Sequence, residues 1–187
     1  VLIVLSDKDI VKGKIPANTI MATGAVHHHL IKVGLRADAN IIVKTGLIRD
    51  SHHVAVLVGF GATAVYPYLA YSVIADLVAR GELLGDPLYA QHNFRKSLDK
   101  GLLKKKKKMG ISTVSSYRGA QLFEAVGLSD EVVNLCFKGV ESRIQGASFA
   151  DLELDQKLLA NHAFSKRVPL DQGGLLKFVF NKEYHAF

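Results

Sequence analysis

Met109-Gly-Ile-Ser-Thr-Val-Ser-Ser-Tyr-Arg-Gly-Ala-Gln-Leu-Phe-Glu-Ala-Val-Gly-Leu128 reads as a strand, a polar turn, a helix and a stop. Ile111 to Ser115 is short and rich in β-branched and small residues, the composition of a buried strand, and Ser115, Ser116 and Tyr117 supply hydroxyls where a helix has to begin. Arg118 to Val126 then sets Ala120, Leu122, Phe123 and Val126 along one helical stripe, with Gly127 where a left-handed C-terminal cap belongs. A helix start surrounded by Ser116, Tyr117, Arg118 and Gln121 is a candidate polar contact or anion site, because free N–H groups and the helix dipole favour a phosphate or carboxylate there. The same residues equally suit an ordinary capped helix, with Arg118 solvated or paired with Glu124. No acid–base or nucleophile pair stands beside them, so no catalytic residue is assigned.

The alternation extends in both directions from this stretch. Val1 to Leu5 is a continuous apolar run of strand length ended by Ser6 and Asp7, as suits a strand buried on both faces. After a loop through Gly13 and Pro16, Asn18 or Thr19 caps a helix that runs to Val33 and stops at Gly34, and Ala39 to Val43 is a second strand. Val54 to Val58 closes a helix, Ala62 to Tyr66 is strand-like, and Pro67 opens a helix to Arg80 as a first-turn residue. From Leu88 to Lys108 the inward line is Phe94, Leu98, Leu102 and Met109, and a step of three from Leu102 lands on Lys105, where that face wants an apolar side chain. Downstream, Ser129 caps a helix from Asp130 to Lys138, Phe149 to Ala160 forms another, and Leu175 to Phe180 is a strand. Strands separated by helices, without a hairpin signal, predict an α/β fold with parallel pairing and right-handed crossovers, as an open sheet or a partial barrel. A single domain over residues 1–187 is expected from the length.

The net charge of +7 is concentrated in one place: Lys104 to Lys108 contribute five, and without them 19 basic residues face 17 acidic ones. That leaves no general basic surface for nucleic acid, and the lysine run reads as a solvated helix C-terminus favoured by the dipole. The single Cys136 excludes an internal disulfide and cannot by itself make a cysteine-rich metal or iron–sulfur site, which points to a reducing compartment. The opening Val1-Leu-Ile-Val-Leu5, without an initiator Met or a basic n-region, reads as a cut from something longer.

Three motifs invite sharper readings. The uncharged run Ser51 to Ala75 has the length of a membrane span, but Gly59, Gly61 and Pro67 interrupt it, so no span is predicted. Gly59-Phe-Gly61-Ala-Thr-Ala64 matches a dinucleotide fingerprint, yet it follows a helix and precedes a strand, the reverse of the required order, so the glycines are predicted to make a helix-to-strand turn. His27, His28 and His29 are consecutive, about 100° apart on a helix, whereas shared ligation needs i,i+4 spacing or separate elements. No metal site is assigned to them, even with His52 and His53 elsewhere in the chain.

Four stretches, in order, resemble the central domain of the glutamate synthase large subunit: Ala25-Val-His-His-His-Leu-Ile-Lys-Val-Gly-Leu-Arg36, Gly59-Phe-Gly-Ala-Thr-Ala-Val-Tyr-Pro-Tyr-Leu-Ala70, the 109–128 segment and Tyr184-His-Ala-Phe187. The resemblance covers nearly the whole chain and implies the C-terminal part of that domain. It implies a parent enzyme that forms glutamate from glutamine and 2-oxoglutarate, in the cytoplasm or, in a plant or alga, the plastid stroma. In that family an amidotransferase domain releases ammonia with a terminal Cys, and a domain holding FMN and an iron–sulfur cluster reduces the imine formed with 2-oxoglutarate. This segment is then expected to carry no cofactor itself, to have those two domains as its partners, and to hold them apart while helping enclose the ammonia path. The determinants of the electron donor, ferredoxin, NADPH or NADH, lie outside it. The Lys104 to Lys108 run departs from the family, which has fewer lysines and an apolar residue there. The alternative is a free-standing α/β domain binding a small anion or nucleotide at Ser116 to Gln121 or near Gly59 to Ala62.

Overall fold

A computed structural model describes residues 1–165, together with the backbone of two short strands at 176–177 and 185–186. The first half of the chain alternates as its hydrophobic pattern dictates. Strand β1 (Leu2–Ser6) leads through a loop to helix α1 (Thr19–Lys32), then β2 (Asn40–Lys44), α2 (Ser51–Gly59) and β3 (Ala64–Tyr66). The three strands are parallel in the order β1-β2-β3, with Ile3 opposite Ile41 and Val43 opposite Val65, and the sheet stays open. Helix α1 begins where Asn18 accepts the amides of Ile20 and Met21, and α2 where Asp50 accepts those of His52 and His53, because the first turn of a helix leaves those donors free. The glycine pair closes α2 and turns into β3: Gly61 sits at φ +118°, a left-handed conformation that a residue with a Cβ adopts only with strain.

Every second strand residue faces the helices. Ile3, Leu5, Ile41, Val43 and Val65 join Leu30 of α1, Leu57 of α2 and Leu98 in one apolar core. The alternate residues Leu2 and Val4 are exposed, so β1 is buried on one face only, contrary to the expectation from its unbroken apolar run. The run could not reveal that the strand lies at an edge, with its covering helices on one side.

Helix α3 (Tyr68–Ala79) follows Pro67, and α4 (Pro87–Lys108) starts with Pro87 in its first turn and Asp86 accepting the Tyr89 amide. Along α4 the inward line Phe94, Leu98, Leu102 continues by a step of four to Lys106, not by a step of three to Lys105. Lys106 is 5% exposed and its Nζ donates to the Ser112 carbonyl at 3.1 Å. Lys105 is half-buried and donates to Ser51 Oγ at 2.9 Å, where α4 meets the start of α2, while Lys104, Lys107, Lys108 and Met109 are exposed at the helix end.

The 109–128 segment departs most from its expected form. Ile111 to Thr113 is irregular, Val114–Tyr117 is a four-residue helix, α5, and Arg118 to Ala125 forms no helix. Thr113, not Ser116, provides the cap. The local helical stripe loses to tertiary burial: Gly119 at φ +70° and Gln121 at φ +53° turn the chain so that Phe123 lies over Gly59, where a Cβ would fall 2.6 Å from the ring, and 5.7 Å from the Phe60 centroid. Val126–Leu128 is then strand β4, parallel to β5 (Ile144–Ala147), so Gly127 lies within a strand and ends no helix. Between them α6 (Asp130–Cys136) crosses α1 so closely that a Cβ on Gly24 would sit 1.9 Å from the Cys136 carbonyl oxygen. Ser129 precedes α6 without a capping bond and α6 stops short of Lys138, whereas Ser148 and Asp151 form a reciprocal capping box on α7 (Phe149–Ala163). The strands β6 (Leu176–Lys177) and β7 (His185–Ala186) pair antiparallel, unlike the other pairs, and the remainder of the expected 175–180 strand lies outside the described residues.

Candidate functional site

The four residues picked from sequence do not share one helix N-terminus, nor do they follow a parallel strand; they lie on α5 and in the loop after it. Ser116 is engaged locally, its Oγ 2.7 Å from Thr113 Oγ1. Tyr117 is 1% exposed, packed with Ala55 and Val58 of α2, and burial pushes its phenol above the ordinary range. Gln121 donates from Nε2 to the Gly139 carbonyl at 2.9 Å, which holds the loop against the segment after α6. Arg118 is different: its Nε is buried and has no hydrogen-bond partner among the described residues.

The loop is fastened to the end of α2 by the Gly119 amide, which donates to the Gly59 carbonyl at 2.8 Å. This brings Tyr117 and Gln121 to a cleft of about 80 Å³ that is also lined by His27 and His28 of α1 and by Lys138. Among the described residues no Asp or Glu lines it. His27 accepts at Nδ1 from Arg36 Nε at 2.8 Å, and the same guanidinium donates to the carbonyls of Ala39 (2.5 Å) and Gly61 (2.9 Å). Arg36 thus locks α1, the start of β2 and the glycine turn together.

The electrostatics follow from this crowding of basic groups. Burial, then the charges of Arg36, His28 and Arg118, lower His27 to about 4. Burial and then Lys138 hold His28 below the usual imidazole range, and burial followed by Arg118 lowers Arg36. Chemically the cleft can receive a carboxylate or another small oxyanion at Lys138, with Arg118 adding positive charge close by although it does not line the cleft. Ser115 and Ser116 are both hydrogen-bonded to Thr113, and no imidazole activates either. Among the described residues no group of three His, Cys, Asp or Glu side chains is placed to hold a metal ion. Nor is any described helix long and apolar enough to cross a membrane.

A second polar cluster escaped sequence reading. At the carboxyl ends of β1 and β2, Asp7 accepts from the Gly46 amide at 3.0 Å and from the hydroxyls of Thr45 and Thr19, and all three side chains converge from separate elements. A polar residue directly after each of two parallel strands was the available signal. Its donors and acceptors satisfy one another, so it braces the sheet edge.

The family described as the glutamate synthase central domain matches residues 1–129. The ferredoxin-dependent glutamate synthase of Pyropia yezoensis is 41% identical over 198 residues, covering 98% of this chain and 13% of that protein. The NADPH glutamate synthase large chain of Bacillus subtilis is 38% identical over 188 residues, covering 100% of this chain and 12% of that one. The NADH glutamate synthase of Schizosaccharomyces pombe is 41% identical over 172 residues, covering 91% and 8% respectively. This chain therefore spans only 8% to 13% of the length of these relatives. With residues 1–129 matched, a span that holds the three-stranded sheet, the glycine turn and, of the cleft, all but the side contributed by Lys138 and Val140, the chain belongs to the glutamate synthase central domain family.

Proposed function

We propose that this chain is the segment of a glutamate synthase large chain that links the glutamine amidotransferase domain to the FMN domain, in an enzyme forming glutamate from glutamine and 2-oxoglutarate. One observation carries the reading: the chain aligns almost end to end with relatives named for ferredoxin, NADH and NADPH alike. A segment common to enzymes with different electron donors serves a task that does not depend on the donor. In this reading FMN and the iron–sulfur cluster reside in the neighbouring domain, and the enzyme works in the cytoplasm or, in an alga, the plastid. The chain acts as one α/β scaffold over residues 1–187.

Within it Arg118, supported by Ser116, Tyr117 and Gln121, serves as a polar contact toward the rest of the enzyme. The Arg118 Nε, buried and without an acceptor among the described residues, supports this, because such a donor calls for a further acceptor. In the intact enzyme, Arg118→Ala is expected to lower glutamine-dependent glutamate formation about tenfold through loss of a charge-assisted hydrogen bond. Glutamine hydrolysis and ammonia-dependent glutamate formation are expected to stay near normal. If the variant instead abolishes the ammonia-dependent reaction in folded, flavin-loaded enzyme, Arg118 belongs to the chemistry and the contact role is wrong.

The basic cleft favours a second reading, a free-standing domain that binds a small anion or nucleotide. The two separate on the purified chain. Under the linking role its visible spectrum is free of flavin and iron–sulfur bands, and titration with FMN, NAD or NADPH gives no saturable micromolar binding; saturation would favour the second reading.

A further inference from the structure

Among the described residues, helices cover one face of the three-stranded sheet. Ile3, Leu5, Ile41, Val43 and Val65 pack against α1, α2 and α4. The opposite face carries Leu2, Val4, Asn40, Ile42, Ala64 and Tyr66, with Lys44 at its carboxyl end. Leu2 is 68% exposed, Val4 56% and Tyr66 47%, Ile42 and Lys44 are half-buried, and the Tyr71 ring lies 5.6 Å from Tyr66 at the far edge. Parallel sheets occur almost only with both faces covered, and lone exposed apolar residues are common whereas a contiguous sheet face of them is not.

Among the described residues, no strand pairs with the outer edge of β1 either. The Asn40 amide donates to the Val1 carbonyl, and the Asp7 amide donates to the Lys44 carbonyl. These two bonds bracket a parallel ladder in which alternate residues bond inward, so Val1, Ile3, Leu5 and Asp7 are tied to β2. The amides and carbonyls of Leu2, Val4 and Ser6 therefore point away from the sheet. An apolar strand with a free ladder edge and a bare face is a template for another strand.

We propose that this edge and face dock a further stretch of the same large-chain polypeptide, which adds a strand parallel or antiparallel to β1 and lays apolar side chains over Leu2, Val4 and Ile42. The occupant follows from length: matched relatives carry about seven-eighths or more of their polypeptide outside the region this chain covers. The inference rests on family membership and not on the linking role or on Arg118.

Hydrogen exchange read residue by residue tests it. In the isolated 187-residue chain the amides of Leu2, Val4 and Ser6 are expected to exchange at least about tenfold faster than those of Ile3 and Leu5. When the same residues replace the stretch they match in the Bacillus subtilis large chain, the two sets are expected to slow to similar rates. Fast exchange at Leu2, Val4 and Ser6 in the folded chimera overturns the proposal. So does protection in the isolated chain that grows with its concentration, which would make a second copy the occupant. If the chimera does not fold, the isolated chain is mixed with the separately produced parts of that large chain that precede and follow the matched stretch. New protection at the three amides is the expected result, and its absence at saturating partner overturns the proposal. Double substitution Leu2→Lys, Val4→Lys is expected to leave the unfolding midpoint of the isolated chain unchanged and to abolish the protection in the chimera; a lowered midpoint in the isolated chain would mean the face is already covered.

Discussion

Replacing Lys106 with methionine is expected to stabilise the chain. Lys106 is 5% exposed at the end of the inward line of α4, and its only described hydrogen bond is Nζ to the Ser112 carbonyl at 3.1 Å. Keeping an ammonium out of water costs several kcal/mol after relaxation, against about 1.5–3 kcal/mol returned by one charged hydrogen bond. Ser112 is exposed, so water replaces the lost donor, and the unbranched methionine fills the volume of the lysine stem. Removing one charge from a run of five lysines adds a few tenths of a kcal/mol. The net expectation is about 1–2 kcal/mol in favour of Lys106→Met, or roughly 2–8 °C in Tm for a chain of this size. The chain has no Trp, so urea unfolding is best followed by far-ultraviolet circular dichroism. Lys105→Leu is the control: it gives up the bond to Ser51 Oγ from a half-buried position and is expected to leave the midpoint unchanged or lower it. A midpoint for Lys106→Met that is unchanged or lowered at constant m would refute the reasoning, because the Ser112 bond would then outweigh the desolvation.

Two further outcomes follow from the packing around α1. His27 titrates near 6.5 when unfolded and about 4 when folded, so the unfolded chain binds the extra proton between those values; stability present above pH 6.5 is lost as pH falls toward 4, by about 2–3 kcal/mol. Unfolding midpoints measured from pH 7 to 4.5 should fall less steeply in His27→Gln, and parallel slopes would contradict the assignment. Gly24→Ala places a Cβ 1.9 Å from the Cys136 carbonyl oxygen, so despite a helix-propensity gain of about 1 kcal/mol it is expected to cost about 2–4 kcal/mol net in the same denaturation assay.

The part of the fold set by local pattern was readable. Asn18 and Gly34 bound α1, Pro67 precedes α3, and the order of helix, glycine turn and strand at 51–66 excluded a dinucleotide loop, all from residues close together in sequence. The 118–126 helix failed because its apolar stripe is used at long range: Phe123 goes to Gly59 and Phe60, more than sixty residues back, and no spacing within the segment encodes that contact. Lys105 and Lys106 are not separable in the sequence because steps of three and four both fit a helical face, and the choice is made at long range by Ser51 of α2 beside Lys105 and locally by the Ser112 carbonyl beside Lys106. Of the candidate site, Arg118 was visible as a cation after a turn, but the bond from Arg36 to His27 joins the turn beyond α1 back to the interior of that helix, and the approach of Lys138 depends on where α6 stops. The histidine run drew attention to a metal, while its buried member serves as an acceptor for arginine.

That acceptor role fixes a proton. Arg36 has only donors and occupies His27 Nδ1, so the neutral imidazole must carry its hydrogen on Nε2. The ring is held in one tautomer by a group that cannot itself be deprotonated. Its free edge is therefore a permanent N–H donor, unable to bind a metal through Nε2 unless that proton leaves. The depressed basicity of the ring keeps it neutral through the physiological range. In the His27 cleft, a second proton competes with the donor geometry that the first one sets only in acid, toward pH 4.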